Sequence, residues 1–211
     1  GVLLASKGVD AAAVVDALGV VEELEARRLE GQTRFTLVPK GQKMEDALET
    51  LRSANPTESP GIWDEKSKIS KLANGEWEVL YAPHLYRLQQ VLATQFGPRY
   101  ILGVENGLTT IVSNVRYEST WFGNGWLNAA GTYDSIDADT VVIKFERFWW
   151  DRNSDSPSPD PEKAPAGLVQ AIGQAGFVPS FSRFPVRYVD EKLCEFQFQA
   201  SGTSILAVKV K

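Results

Sequence analysis

Val186-Arg187-Tyr188-Val189-Asp190-Glu191-Lys192-Leu193-Cys194 is followed by apolar or aromatic residues at every second position, Cys194, Phe196, Phe198 and Ala200, and then by a last strand-like run, Ile205 to Val210. Side chains alternate faces along a strand, so this pattern predicts a closing β-hairpin with one buried face. The same period of two recurs upstream. Trp77, Val79 and Tyr81 share one face of a strand that begins near Glu76, while Glu76, Glu78 and Leu80 share the other, wetter face. Comparable stretches run over 107–120, 125–133, 140–149, 187–200 and 204–210. Asn124-Gly125 and the segment 134–139 supply turn chemistry between them. Consecutive strands joined by short turns predict a mainly β (α+β) fold: an antiparallel up-and-down sheet that closes into a β-barrel, which removes the exposed edges.

The N-terminal part has a different period. Over 10–28, Asp10 is a helix N-cap, Val14, Leu18, Val21 and Leu24 recur at helical spacing, and Arg27 and Arg28 suit the C-terminal dipole. A short strand is expected at 34–38, and a second helix over 43–54 presents Met44, Ala47, Leu48 and Leu51. Asn55-Pro56-Thr57 then stops it, because the residue before a proline is pushed out of helical geometry. One domain over 1–211 is expected, with a helical part at 10–54 and the barrel at 72–211. The proline-rich stretch 152–166 reads as an exposed, mobile loop inserted in the barrel, and 167–177 as a short helix or turn.

Composition narrows the function. At 211 residues and 43% hydrophobic content the chain can bury a sizeable core, and its net charge of −5 argues against a nucleic-acid partner. A single cysteine, Cys194, excludes an internal disulfide, and one histidine, His84, leaves no Cys/His set for zinc. Asn55-Pro56-Thr57 has proline in the middle of its would-be glycosylation sequon, so the chain reads as one from the cytosol or an organelle interior. No apolar run approaches the roughly 20 residues of a membrane-spanning helix. The first residue, Gly1, fits either a processed precursor or a sequence that begins partway along a longer chain.

Catalytic motifs are missing. No Gly-x-Ser-x-Gly elbow or Walker A sequence occurs. Phe122-Gly123-Asn124-Gly125-Trp126 leads into a strand and reads as a hairpin turn; Asp134, Asp137 and Asp139 lack the glycine and glutamate of a calcium loop. His84 reads as a loop residue. We therefore expect no enzyme activity, no metal and no required cofactor.

Aromatic residues are the richest resource: six Trp, six Tyr and ten Phe. Trp77, Tyr81, Tyr117, Trp121, Trp126, Tyr133, Phe145, Phe196 and Phe198 are candidates to line the barrel, either filling it or walling an apolar cavity. In Phe145-Glu146-Arg147-Phe148-Trp149-Trp150, adjacent aromatics point to opposite faces. Some of Phe148, Trp149 and Trp150 are thus expected outward, as a membrane or protein contact or under a helix from the N-terminal part.

Leu72-Ala73-Asn74-Gly75-Glu76-Trp77-Glu78-Val79-Leu80-Tyr81 resembles the opening strand of the plastid lipid-associated proteins, or fibrillins. Leu51 to Thr57 resembles the family's helix ending in an Asn-Pro-Thr-type turn, Val141 to Glu146 its central strand, and Tyr188 to Leu193 its Tyr-Leu-Asp-Glu-Asp-Leu phrase. Departures are Lys192 in place of an acidic residue, Cys194 in place of a basic one, and a reduced turn at Ser201-Gly202. The phrases keep the family's order over roughly residues 10 to 211. The resemblance implies a lipocalin-like barrel peripheral to thylakoid or plastoglobule membranes and linked to lipids, carotenoids or prenylquinones; a transit peptide removed before Gly1 would fit that location.

Three functions follow as expectations. The first is a non-catalytic carrier of an apolar ligand. The second is a docking subunit of a photosynthetic membrane complex, with a filled barrel. The third is a lipocalin-shaped enzyme using Asp190 or Glu191, whose plainer role is to fix the hairpin turn.

Overall fold

A computed structural model describes residues 8–30, 35, 37–62, 72–105, 108–163, 167–176 and 182–210. Helices α1 (Ala11–Leu29) and α2 (Gln42–Ser53) precede strand β1 (Gly75–Tyr81), helix α3 (Pro83–Leu92) and strands β2 (Thr94–Glu105), β3 (Leu108–Ser119), β4 (Gly123–Ser135) and β5 (Thr140–Arg152). Helix α4 (Leu168–Gly176) then leads to β6 (Arg183–Val189), β7 (Leu193–Phe198) and β8 (Thr203–Lys209). The eight strands form a closed barrel in sequence order, with β8 returning antiparallel to β1. The expected up-and-down barrel with N-terminal helices is the observed fold. Neither α3 nor β2 is anticipated by the sequence reading, and the stretch 187–200 divides into β6 and β7. The expected strand at 34–38 lies partly outside the described residues, and 37–40 is not strand.

The helices form for the reasons their sequences give. Asp10 caps α1 by accepting a hydrogen bond from the Ala12 N–H, and α1 buries Val14, Ala17, Val21 and Leu24. Helix α2 buries Met44, Ala47, Leu48 and Leu51. These two stripes make a second core with outward residues of the barrel wall, Leu80, Tyr188, Leu193, Leu206 and Val208. The face of β1 expected to be wet is therefore covered at Leu80. Inside the barrel lies a separate cluster that includes Trp77, Val79, Tyr133, Val141 and Val186.

Polar contacts fix the helices to the wall. Arg52 of α2 pairs with Glu195 of β7, which is 1% exposed, and also donates to Ser204. The turn after α2 docks by its side chains. Asn55 donates to the Arg187 carbonyl and Thr57 to the Val189 carbonyl. Asp190 accepts hydrogen bonds from the Lys192 and Leu193 N–H groups and from the Tyr188 hydroxyl, which fastens the β6–β7 turn.

Among the described residues the seam between β5 and β6 is weakly paired. Among the described residues β6 pairs with β5 only over Thr140–Val142, and no other described strand pairs with that edge of β5 further along. Helix α4 fills that gap. The Gln170 side chain accepts from the Phe148 N–H and donates to the Glu146 carbonyl, so one amide stands in for a strand residue. A Cβ on Gly173 would lie 2.2 Å from the Phe148 ring, so glycine permits this approach.

The described part of the proline-rich stretch, 152–163, is largely exposed but tied to the outer face of the sheet, and 164–166 lie outside the described residues. Arg147 makes two hydrogen bonds to Asp160, Ser158 donates to Asp151 and accepts from the Trp149 indole, and Arg116 donates to the Ser154 carbonyl. Charge-assisted bonds are among the contacts that dock the part of it around Ser154 to Asp160 on the sheet.

Candidate ligand cavity and its rim

The barrel is hollow near one end. Strand directions bring the end of β1, the β3–β4 turn, the end of β5 and the β7–β8 turn to this end, and α3 crosses it. Pro83 occupies the first turn of α3, where its missing N–H costs nothing. At that start the His84 Nδ1 lies 2.9 Å from the Thr203 Oγ1, and its ring stacks on Phe198 at 4.7 Å. At the other end Ala93 adopts a left-handed conformation, and its carbonyl accepts from the Thr120 hydroxyl of the β3–β4 turn. Helix α3 thus spans the mouth, with Leu85 and Leu88 facing the cavity.

The cavity has a volume of about 460 Å³. Small residues create it: Ser113, Ala129 and Ala207 occupy wall positions where larger side chains would meet at the axis. Aromatic rings supply much of the remaining wall. Trp77, Phe145, Phe148, Phe196 and Phe198 line it, together with Phe184 and Tyr100. Trp77 satisfies its indole N–H on the Ala73 carbonyl. Burial lowers His84 to about 4 and raises Tyr100 to about 12, and it pushes the Cys194 thiol well up, so the site is electrically neutral near pH 7.

Of the nine predicted lining residues, Trp77, Phe145, Phe196 and Phe198 are brought together around the cavity and five others are not. Tyr81 lies on the outside, because a bulge between Val79 and Tyr81 shifts the strand register; its hydroxyl donates to Glu45 of α2. Burial and that carboxylate raise its pKa. Trp126 also faces outward, between the Arg99 and Arg116 guanidinium groups at 5.5 and 5.4 Å, since Leu127 and Ala129 take the inward positions of β4. Trp121 is 78% exposed in the β3–β4 turn. Tyr117 is buried and accepts a hydrogen bond from the Trp150 indole without lining the cavity. Tyr133 belongs to the packed interior.

The expected surface contacts also change. Glu146 is an extra residue between Phe145, opposite Gly131, and Arg147, opposite Ala130. This bulge returns Phe148 to the inside. Trp149 faces out yet is buried beneath Ser158 of the proline-rich stretch, not beneath an N-terminal helix. Trp150 points towards Tyr117 and is partly exposed, with Arg152 stacked at 5.0 Å.

Much of the exposed apolar surface lies around the mouth. Val91 is 80% exposed on α3, beside Leu88 and Leu92, and Trp121 and Phe122 project from the adjoining β3–β4 turn. Leu168 and Ile172 of α4 are exposed as well. These rim residues escaped the sequence reading because α3 itself did. Among the described residues no helix is long and apolar enough to cross a membrane, and no cluster of His, Cys, Asp and Glu could hold a metal.

The fold and cavity define a lipocalin-like class: an eight-stranded antiparallel closed barrel that can hold a hydrophobic ligand. No protein-family model matches the chain, and no curated protein matches it by sequence.

Proposed function

We propose that the protein is a non-catalytic carrier, binding an apolar molecule in its barrel and exchanging it with a membrane surface through the apolar rim. The observation that carries this reading is the cavity of about 460 Å³ with an apolar wall, within the size range of small-molecule sites. An interior filled by side chains would have favoured a docking subunit; the open volume favours carriage. At about 20 Å³ per packed non-hydrogen atom the space takes on the order of twenty such atoms. A carotenoid or a long-tailed prenylquinone would then be held by one end, with its remainder leaving through the mouth. The carboxylate Asp190 is occupied by three hydrogen bonds in its turn, which supports a binding role over an enzymatic one.

The placement at plastid membranes, thylakoid or plastoglobule, rests on the resemblance to the plastid lipid-associated proteins. Two of its phrases meet in space: Asn55 and Thr57 hydrogen-bond to the backbone of β6 at Arg187 and Val189, the strand that leads into Asp190 to Leu193. Lipids, carotenoids or prenylquinones are the proposed cargo, and membrane lipids the proposed partner.

The test is mass spectrometry of lipids and pigments that copurify from native membranes, compared with Ala129→Leu, which puts a branched side chain into the cavity. A stoichiometric ligand in the native protein, reduced in a folded variant, is expected. A native protein that carries no specific ligand but stays with a membrane complex would replace carriage by docking.

A further inference from the structure

Tyr100 of β2 and Ser113 of β3 stand directly opposite one another in register, and both face the cavity. The wall beside them is apolar: Leu102, Ile111 and Val115 take the neighbouring inward positions. Two other polar tips near the cavity have protein partners, the Trp77 indole on Ala73 and the His84 Nδ1 on Thr203. The Tyr100 and Ser113 hydroxyls have none among the described residues. Burial alone raises Tyr100 to about 12, so its hydroxyl stays protonated and remains a donor. Two such hydroxyls in an otherwise apolar wall favour a ligand that brings them an acceptor, because a polar group taken from water needs a hydrogen-bond partner.

The rings around them restrict the shape of that acceptor. Tyr100 meets Phe196 edge-on at 6.3 Å, and Phe196 meets Phe184 edge-on at 5.6 Å. A flat unsaturated ring packs against such faces and edges.

We propose that the ligand carries a carbonyl oxygen on a flat ring, and that Tyr100 and Ser113 select it by donating hydrogen bonds to that oxygen. This inference rests on the carrier reading and specifies its cargo: an oxygenated ring enters the barrel first, and a hydrocarbon tail trails through the mouth.

The experiment is equilibrium dialysis of the full chain with 2,3-dimethyl-1,4-naphthoquinone and with 2,3-dimethylnaphthalene, which has the same carbon skeleton without oxygen. Neutral hydrogen bonds of ordinary strength predict that Tyr100→Phe and Ser113→Ala each weaken the quinone roughly three- to ten-fold while leaving the hydrocarbon unchanged. Both variants keep nearly the native shape, and thermal unfolding is expected to show no loss of stability, because no hydrogen bond within the protein is removed. Equal weakening of both compounds, or an unchanged quinone affinity, overturns the selection by oxygen while leaving the carrier reading intact. If neither compound binds the native protein, nor 1,6-diphenylhexatriene as a purely apolar probe, the carrier reading falls and this inference with it.

Discussion

His84 sits in the first turn of α3, stacked on Phe198 and close to Thr203, where burial holds its pKa near 4 against an ordinary value of 6.5. The unfolded chain therefore takes up a proton as the pH drops below 6.5, before the folded protein does. Stability contributed by the neutral ring is complete above 6.5 and is lost progressively down to about pH 4. Urea unfolding midpoints at pH 7 and pH 4.5 are expected to differ less in His84→Phe, which keeps a ring against Phe198, than in the native protein; an identical pH dependence would show that His84 does not contribute. At this scale, alternation alone identified Trp77, Phe145, Phe196 and Phe198, because those strands keep a regular period up to the residues concerned. It failed for Tyr81 and Phe148, where a bulge turns the side chain to the other face, and a bulge leaves no mark in a period of two. For Trp126 the inward parity was misassigned. The hollow itself was legible in Ser113, Ala129 and Ala207, but only once their shared orientation into the barrel was known.

Two elements escaped the sequence for physical reasons. Strand β2 contains Gly97 and Pro98, which argue against a strand interior, yet Pro98 pairs with Val115 in a long antiparallel ladder. Helix α3 has only ten residues, starts without a side-chain cap and ends without glycine, so its only signal was Pro83 in the first turn. The proline-rich stretch was recognisable as irregular, but its anchors, Arg147 and Asp151, lie on a strand whose register the sequence did not fix. Helix α4 was foreseen as a short helix or turn, although its role at the barrel seam was not. That role is testable through Gln170. Replacing it by leucine keeps the bulk but leaves the Phe148 N–H and the Glu146 carbonyl without their amide partner. Because one unmet backbone group costs about 1–3 kcal/mol when buried and less when water reaches it, Gln170→Leu is expected to destabilise the protein by about 1–3 kcal/mol. Hydrogen exchange should show the loss first at the Phe148 amide. Unchanged protection there would mean that the β5 edge closes without α4.

The whole molecule is polarised along the barrel axis. Helices α1 and α2 cover the outer wall at β1 and β8, whereas most of the exposed large apolar side chains gather at the end crossed by α3, over the cavity mouth, with Val15, Leu29, Leu108 and Ile136 exposed elsewhere. A ligand poorly soluble in water gains from transfer straight into such a mouth, since its apolar surface need not be hydrated on the way. Trp121 and Phe122, 78% and 57% exposed at the tip of the β3–β4 turn, are the side chains that would enter the boundary between headgroups and acyl chains in the proposed membrane contact. The net charge of −5 gives no general attraction to anionic lipids, so in the proposed contact burial of apolar surface would have to supply the binding. Vesicle association is therefore expected to persist at high salt. In Trp121→Ser, Phe122→Ser it should weaken about ten-fold or more, from the loss of two large apolar contacts. The cavity and its wall are untouched by these substitutions, so binding of a soluble apolar probe should remain at its native level. Co-sedimentation with neutral phosphatidylcholine vesicles measures the first quantity and probe fluorescence the second. Association that survives the double substitution, or that disappears on adding salt, would place the membrane contact on a charged face and separate it from the mouth.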